Sequence, residues 1–175
     1  MNNLPPLPKQ NTEAQKRGRR SRAKGKSFEE MLDRTFAYYA KTGYAQIDKT
    51  PEPMKVIRSM GQGRFLACYT KASQPDYKGL IKGGRAVIFE AKYTEHERIQ
   101  QDVVNEEQAA YMLAAECLGA RCYILCGFAT GNVYRIPFGV WNNMKRIYGH
   151  KYVTEEEINQ YKVKKSWNDT LLILE

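Results

Sequence analysis

The sequence lacks the features that would indicate a membrane protein, a zinc site or a disulfide framework. No stretch of its 175 residues approaches the roughly eighteen consecutive apolar residues of a membrane span. The first 26 residues contain no apolar segment of the secretory type, so we expect a cytoplasmic protein. The cysteines form no C-x-x-C pair and both histidines lie apart from them, which argues against bound zinc. These cysteines are Cys68, Cys117, Cys122 and Cys126.

Positive charge is concentrated near the N-terminus rather than spread along the chain. Residues 1–26 contain eight Lys or Arg and one Glu, a net charge of +7, whereas the remainder carries +2. This segment is polar and its like charges repel, so we expect a disordered basic arm ahead of a domain spanning residues 27–175. Such an arm would bind nucleic-acid phosphates without reading sequence, and a solubilising or localising tail is the alternative. The candidate DNA-binding residues in it are Arg17, Arg19, Arg20 and Arg22.

Two carboxylates and a lysine lie on the two strands of a predicted hairpin. Strand alternation places Glu90 and Lys92 on one face, with their Cα atoms roughly 6.6 Å apart. Asp76 joins them if the hairpin loop has three residues, 83–85, which would pair Asp76 with Lys92. A two-residue turn at 83–84 would instead turn Asp76 to the opposite face. We therefore predict a three-residue loop or a β-bulge at the two glycines.

This group of side chains is typical of a site for a hard divalent cation. Carboxylate oxygens are the ligands that Mg²⁺ prefers, and a nearby lysine stabilises charge that develops on a phosphate. Together they would activate water for cleavage of a phosphodiester bond. The alternative is a solvent-facing hairpin whose polar side carries these charges, with Lys92 forming only a salt bridge to Glu90.

The rest of the sequence predicts helices and strands of a single domain. A capping box at 27–30 predicts the first helix, which ends near Gly43. A second helix is predicted from Asn105 to Gly119, and the polar stretch 94–103 before it is predicted to be a loop. Strands are predicted at 44–48, 54–59, 64–71, 76–92 (the hairpin), 121–128 and 131–138, with helical turns at 138–149 and after a capping box at Thr154.

Several segments resemble a known nuclease family. The pattern Pro-Asp followed by Glu-x-Lys is similar to the signature of the PD-(D/E)xK superfamily. Within it, the chain resembles the RecU-type Holliday junction resolvases of Gram-positive bacteria and their phages over roughly residues 17–148. The resemblance implies an α/β fold with a restriction-endonuclease-like αβββαβ core, a mixed central sheet flanked by helices, and a protruding stalk hairpin at about 54–72. The similar segments are GKSFEEMLDRTFAYYAKTG, TPEPMKVI, KASQPDYKGLIKGGRAVIFEAK and NEEQAAYM.

The resemblance also implies roles for particular residues. Asp76 and Glu90 match the family's metal-binding carboxylates, and Lys92 matches its catalytic lysine. Gln108 matches a glutamine that completes the metal environment, and an ordinary polar helix position is the alternative. Two further polar residues match positions that support the site. They are Gln74, where the family usually has threonine, and Glu29, whose alternative role is a favourable charge at a helix start.

The function implied by the resemblance is the resolution of recombination intermediates. A Mg²⁺-dependent endonuclease, with Mn²⁺ as a substitute, would cut a four-way DNA junction by two symmetric nicks, leaving 5′-phosphate and 3′-hydroxyl ends. The approximate twofold symmetry of such a junction predicts a homodimer, and a recombinase or branch-migration helicase is the implied protein partner. A restriction-like or general DNA-processing nuclease and a non-catalytic junction-binding protein are the alternatives. Candidate DNA-binding residues in the stalk, otherwise solvent charges, are Arg58, Arg64 and Lys71.

Overall fold

A five-stranded mixed sheet forms the centre of the protein, with helices against both faces. The computed structural model describes residues 13–51, 53–70, 74–167 and 169–174. The helices are α1 (Glu13–Lys41), α2 (Glu106–Cys117), α3 (Phe138–Asn142) and α4 (Met144–Tyr148). The strands are β1 (Ala45–Lys49), β2 (Met54–Ser59), β3 (Phe65–Tyr69), β4 (Tyr77–Ile81), β5 (Arg85–Thr94), β6 (Arg98–Gln100), β7 (Arg121–Phe128), β8 (Val133–Pro137) and β9 (Tyr152–Thr154). Short 3-10 helices cover Gln101–Val103 and Asn159–Tyr161.

The strands of the central sheet lie in the order β1-β4-β5-β7-β8. β5 and β7 run parallel, and the other neighbouring pairs run antiparallel. A parallel pair needs a crossover connection, which α2 provides. The elements α1, β1, β4, β5, α2 and β7 therefore form an αβββαβ core around a mixed sheet, which confirms the predicted fold class.

Strand alternation divides the apolar residues between the two faces of the sheet. Val87 and Phe89 of β5 belong to the buried cluster that α1 covers, whereas Ile88 belongs to the cluster that α2 and α3 cover. By the same period of two, Glu90 and Lys92 lie on the α2 face. The predicted division of β5 into two faces is confirmed.

The β4–β5 loop has the predicted length of three residues but begins one residue earlier than predicted. Arg85 is the first paired residue of β5, so the loop is 82–84. Its last two residues are glycines with φ of 95° and 82°, a conformation that strains other residues, so the glycines close the loop and Arg85 starts the strand. As a result Asp76 lies level with Glu90 rather than with Lys92. The shift is two residues, so all three side chains remain on one face.

α1 is one continuous helix of 29 residues, so the predicted start at Ser27 is wrong. The basic residues 13–26 form its first half, because the alanine, glutamine, lysine and arginine there favour the helix and offset the two glycines. Lys24 also forms an ion pair with Glu95, just beyond β5. The expected disordered arm is therefore helical over 13–26, and residues 1–12 lie outside the described part of the chain.

The β2–β3 hairpin lies where the sequence predicts the stalk strands and is separate from the central sheet. β2 is exposed along its whole length. The hairpin carries exposed large apolar side chains, namely Met54, Val56, Ile57, Met60, Phe65 and Leu66. A hairpin whose apolar residues do not enter the core contributes little to the stability of the fold, so another role must account for its composition.

The prediction of a loop at 94–103 is wrong, because β6 lies within it and pairs antiparallel with β9. Its apolar residue Ile99 is buried between two polar neighbours, a pattern too short for alternation to reveal. The predicted capping box at Thr154 forms, with the Thr154 N–H donating to the Glu157 carboxylate at 2.9 Å. A turn and a 3-10 helix follow it instead of an α-helix. Within the described ranges no helix is both long and apolar enough to span a bilayer.

Gly79 on β4 should not tolerate alanine. A Cβ there would lie 2.0 Å from the Gln46 carbonyl oxygen and 2.6 Å from the Ile47 Cα, both backbone atoms of β1. We expect Gly79→Ala to lower the free energy of unfolding by about 2–3 kcal/mol, as measured by urea denaturation. Gly139→Ala is the matched control, since nothing lies within 4 Å of its added Cβ. Equal stability of the two variants would contradict the close approach of β1 and β4.

Candidate active site

The carboxylate of Glu90 is the centre of the predicted site. It lies on the α2 face of β5 and is fully buried, with 0% exposure. Its Oε1 accepts hydrogen bonds from Lys92 Nζ and from Gln108 Nε2, the latter at 2.7 Å. Its Oε2 accepts a hydrogen bond from the backbone N–H of Asp76 at 3.2 Å. Three donors from three parts of the chain therefore hold this carboxylate in one orientation.

Asp76 immediately precedes β4 and is fixed through its backbone as well as its side chain. The Thr50 N–H donates to the Asp76 carbonyl at 2.7 Å, and the Thr50 hydroxyl donates to the Pro75 carbonyl, also at 2.7 Å. Asp76 Oδ2 accepts a hydrogen bond from the backbone N–H of Ala91 at 2.9 Å. The Asp76 N–H bond to Glu90 and the Ala91 N–H bond to Asp76 cross the open end of the hairpin in both directions, so the Asp76 and Glu90 carboxylates lie side by side.

Gln108 reaches the site from the first turn of α2, where a capping box sets its orientation. Asn105 is the N-cap, and its side chain accepts a hydrogen bond from the Gln108 N–H at 2.9 Å. Gln108 Oε1 accepts the Asn105 N–H at 3.2 Å in return. Because the amide oxygen is engaged there, the amino group is the part that faces Glu90. The structure thus brings Gln108 to the predicted site through its Nε2.

Burial raises the pKa of Glu90 to about 7, and the adjacent Asp76 charge acts in the same direction. The charge and hydrogen bond of Lys92 oppose this rise without cancelling it. Burial also raises the pKa of Asp76, against the opposing effects of the Ala91 N–H and of Lys92. One ammonium group therefore does not balance two adjacent carboxylates, and the site favours additional positive charge.

The donor set fits a hard divalent cation. Asp76 and Glu90 offer carboxylate oxygens, which are the ligands of Mg²⁺ and Mn²⁺ in proteins. A cation bound between the two carboxylates would supply the positive charge that Lys92 alone does not. In the described ranges no group of three or more His, Cys, Asp or Glu side chains could hold a metal. Mg²⁺ commonly keeps several waters, so two carboxylates with neutral oxygens would suffice for it.

A second polar group, which the sequence analysis did not find, lies beside Asp76 on the α1 side of the sheet. Lys49 at the end of β1 forms an ion pair with Glu29 of α1 at 2.6 Å. The Glu29 charge raises the pKa of Asp76 and the Lys49 charge lowers it. The Tyr77 hydroxyl donates to Asp33 Oδ1 at 2.7 Å. Only Glu29 belongs to the predicted set. Asp33 lies in the similar segment GKSFEEMLDRTFAYYAKTG but no role was predicted for it, and Lys49 lies outside the similar segments. Strand alternation alone places Tyr77 opposite Asp76.

Within the described part of the chain, the remaining predicted site residues form no hydrogen bond with the Asp76 or Glu90 carboxylate. Gln74 is exposed, and its Oε1 accepts a hydrogen bond from Lys78 Nζ at 2.5 Å. The predicted DNA-binding residues occupy two exposed surfaces, α1 (Arg19, Arg20 and Arg22) and the β2–β3 hairpin (Arg58 and Arg64). Lys71 and the side chain of Arg17 lie outside the described part of the chain.

Comparison with known proteins places this chain in a family. The sequence model of the family described as Recombination protein U, or RecU, matches residues 23–173. The chain belongs to the RecU family. It is 29% identical over 148 residues to the Holliday junction resolvase RecU of Geobacillus sp. (strain WCH70), covering 79% of this chain and 73% of that protein.

The match to other RecU relatives is shorter. The chain is 31% identical over 121 residues to the Holliday junction resolvase RecU of Streptococcus equi subsp. zooepidemicus (strain MGCS10565), covering 65% of this chain and 59% of that protein. It therefore spans less than two thirds of the length of this streptococcal RecU relative. Among solved structures, that of Archaeoglobus fulgidus Hjc, a Holliday junction resolvase from an archaeal hyperthermophile, aligns with a TM-score of 0.48 and 14% identity over 77% of this chain and 92% of that chain.

Glu90→Gln should change how the stability of the metal-free protein depends on pH. The folded protein keeps Glu90 protonated up to about pH 7, whereas the usual pKa of a glutamate side chain is 4.5. Between these values the folded state binds more protons than the unfolded state, so the free energy of unfolding falls as pH rises. Relative to Glu90→Gln, the wild-type protein should lose on the order of 2 kcal/mol between about pH 5 and pH 8.

Urea denaturation in EDTA at several pH values measures this difference. Glu97→Gln, which changes an exposed glutamate, is the matched control and should follow the wild-type pH profile. Parallel profiles for wild type and Glu90→Gln would show that burial does not hold the proton on Glu90.

Proposed function

We propose that this chain is a Mg²⁺-dependent DNA endonuclease that resolves Holliday junctions by paired symmetric nicks, leaving 5′-phosphate and 3′-hydroxyl ends. The observation that carries the proposal is the buried Glu90 carboxylate, bonded to Lys92 and to the backbone of Asp76. The RecU relatives that bear the name Holliday junction resolvase support the choice of substrate. Mn²⁺ substitutes for Mg²⁺ because it accepts the same oxygen ligands.

Asp76 and Glu90 hold the cation in this proposal, and Gln108 positions Glu90. When bound, the cation supplies positive charge to the scissile phosphate and lowers the pKa of a water molecule. Gln108 acts through its Nε2, which donates to Glu90 at 2.7 Å, while its oxygen remains in the capping box of α2. It therefore acts as a positioning residue, and its replacement would disorient Glu90 rather than remove a ligand.

Lys92 orients the attacking water and stabilises negative charge on the phosphate. Its side chain is 22% exposed although it bonds to the fully buried Glu90. An ammonium group has three N–H donors, so after one bond to Glu90 it retains donors for water and for a phosphate oxygen. Donors held in place before the reaction lower its barrier because they need no rearrangement as charge develops.

Glu29 and Lys49 adjust the charge around Asp76 in this proposal. Their ion pair is 2.6 Å long and lies within electrostatic reach of Asp76, whose pKa the two residues shift in opposite directions. Loss of Lys49 alone would leave Glu29 to raise the pKa of Asp76 further. Lys49 thus favours the ionised form of Asp76, which is the form that binds a cation.

The DNA contacts proposed for this function lie on α1 and on the β2–β3 hairpin. Residues 13–26 of α1 carry seven Lys or Arg and one Glu, and such a charge density neutralises phosphates regardless of sequence. The exposed hairpin places Arg58 and Arg64 beside apolar side chains, a combination suited to the open centre of a branched DNA. A homodimer would present two active sites to the symmetry-related strands of a junction.

Asp76→Ala should abolish cleavage, because the cation would lose one of its two carboxylate ligands. The assay uses a synthetic mobile four-way junction with Mg²⁺ or Mn²⁺, beside a linear duplex of the same sequence. We expect symmetric nicks in the junction alone with the wild-type protein, and none with the variant. Lys92→Ala should slow cleavage about 10²-fold or more, whereas Lys82→Ala, at the far end of the hairpin, should cleave normally.

Three outcomes would contradict parts of the proposal. Equal cleavage of the linear duplex would make the chain a general DNA-processing nuclease. Tight junction binding without cleavage under either ion would favour a non-catalytic junction-binding protein. Full activity of Lys92→Ala together with an inactive Asp76→Ala would leave the metal site in place and remove the role of the lysine.

Ala23→Pro tests whether the helical form of the basic segment matters for DNA binding. Proline in a helix interior removes a backbone hydrogen bond and breaks the helix, but this change alters no charge. With the helix broken, the basic segment before residue 23 would have to become ordered when it binds DNA, which costs conformational entropy. We therefore expect the affinity for the junction to fall several-fold with nearly the same salt dependence. Fluorescence anisotropy with a labelled junction in EDTA measures both. Unchanged affinity would show that the segment acts only as a flexible charged tail.

A further inference from the structure

A second concave surface lies on the α2 face of the sheet, apart from the two carboxylates. It is an open cavity of about 840 Å³ between the start of α2, the helices α3 and α4, and the segment before β9. Of the described residues that line it, none is Asp76, Glu90 or Lys92. We refer to it as the polar basin, and its lining includes Gln101, Asn105, Trp141, Lys145, Arg146 and Lys151.

Gln101 makes the basin a preformed surface rather than a gap between loose segments. Its Nε2 donates to the carbonyls of Trp141 at 2.7 Å and Asn142 at 3.1 Å, at the end of α3. Its backbone N–H donates to the Lys151 carbonyl at 2.9 Å, just before β9. The buried Trp141 side chain supports the same wall from below. Gln101 thereby holds its own segment against two segments that lie 40 or more residues later in the chain.

The two walls of the basin carry opposite charges. Lys145, Arg146 and Lys151 are exposed along the wall formed by α4 and the start of β9, and among the described residues none of the three forms an ion pair. Asp102 in the 3-10 helix before α2 and Glu106 at the start of α2 lie on the opposite wall. Three neighbouring cations repel one another, and an anion between them relieves this repulsion. An anionic ligand would therefore lie along the α4 wall.

The basin and the catalytic site adjoin the same turn of α2. Asn105 caps this helix and lines the basin, whereas Gln108, in the same turn, donates to Glu90. Three residues of helix rise only about 4.5 Å. A small anion in the basin would not reach the carboxylates, but a polymer with regularly spaced phosphates would contact both surfaces.

We propose that the polar basin binds the phosphate backbone of the DNA strand next to the cleavage site. This inference rests on the proposed endonuclease function. The basic half of α1 is anchored by Lys24 to Glu95, at the end of β5, while the basin lies on the other face of the sheet. A duplex arm that crosses the end of β5 contacts both surfaces, so the basin fixes the direction in which the arm leaves the site.

A triple variant, Lys145→Ala with Arg146→Ala and Lys151→Ala, tests the basin. Its matched control also removes two lysines and one arginine, but at the opposite end of the sheet. It combines Lys41→Ala, Lys82→Ala and Arg85→Ala, which change exposed residues. Affinity for a labelled four-way junction is measured by anisotropy in EDTA at several salt concentrations. Because each phosphate contact contributes about 0.9 to the slope of log affinity against log salt, we expect the basin variant to lose about 2–3 from this slope.

The control variant should keep the wild-type slope within about one unit. A charge-conserving variant, Lys145→Arg with Arg146→Lys and Lys151→Arg, should also keep it, which separates lost charge from damage to the fold. If the basin variant and the control lose the same slope, the basin does not contact DNA. If the wild-type protein still binds and cleaves the junction in that case, only the role of the basin is contradicted. If the wild-type protein neither binds nor cleaves the junction, the proposed function itself is contradicted.

Discussion

The arrangement of this molecule depends on the burial of one ionisable carboxylate. An unpaired charge in the protein interior is costly, so Glu90 must either keep its proton or gather donors. It gathers three, from Lys92, Gln108 and the Asp76 backbone. The register of β4 on β5 sets the position of Asp76, and the capping box of α2 sets the position of Gln108. A change in strand register or in the start of α2 would therefore leave the carboxylate partly unsatisfied.

The donors around Glu90 are not sufficient to compensate for its burial next to Asp76, and this deficit links stability to function. A carboxylate pair with a single ammonium keeps a raised pKa, so the metal-free site is a source of instability near neutral pH. In the proposed mechanism, a divalent cation bound to the two carboxylates would remove that cost. The polar basin lies on the same face of the sheet as the carboxylates, whereas the basic half of α1 belongs to the helix that covers the other face.

Strand alternation predicted that Glu90 and Lys92 share a face, because a period of two does not depend on tertiary contacts. The position of the loop depended on the backbone angles of two glycines, which alternation does not supply, so the predicted register was wrong by two residues. The capping pattern at Ser27 was misleading because the helix-forming residues before it continue the helix. The ion pair of Lys24 with Glu95 and the wall of the basin join distant segments, so no local pattern reveals them.

The most direct measurement is the pKa of the Glu90 carboxyl group, followed by carbon-13 NMR of selectively labelled glutamate with Glu90→Gln for assignment. In metal-free protein the burial of Glu90 predicts a value of about 7. Saturating Mg²⁺ should lower it, because a bound cation favours the ionised form. A pKa near the usual glutamate value of 4.5, or a raised value that Mg²⁺ leaves unchanged, would contradict the role of Glu90 as a buried, charge-deficient metal ligand.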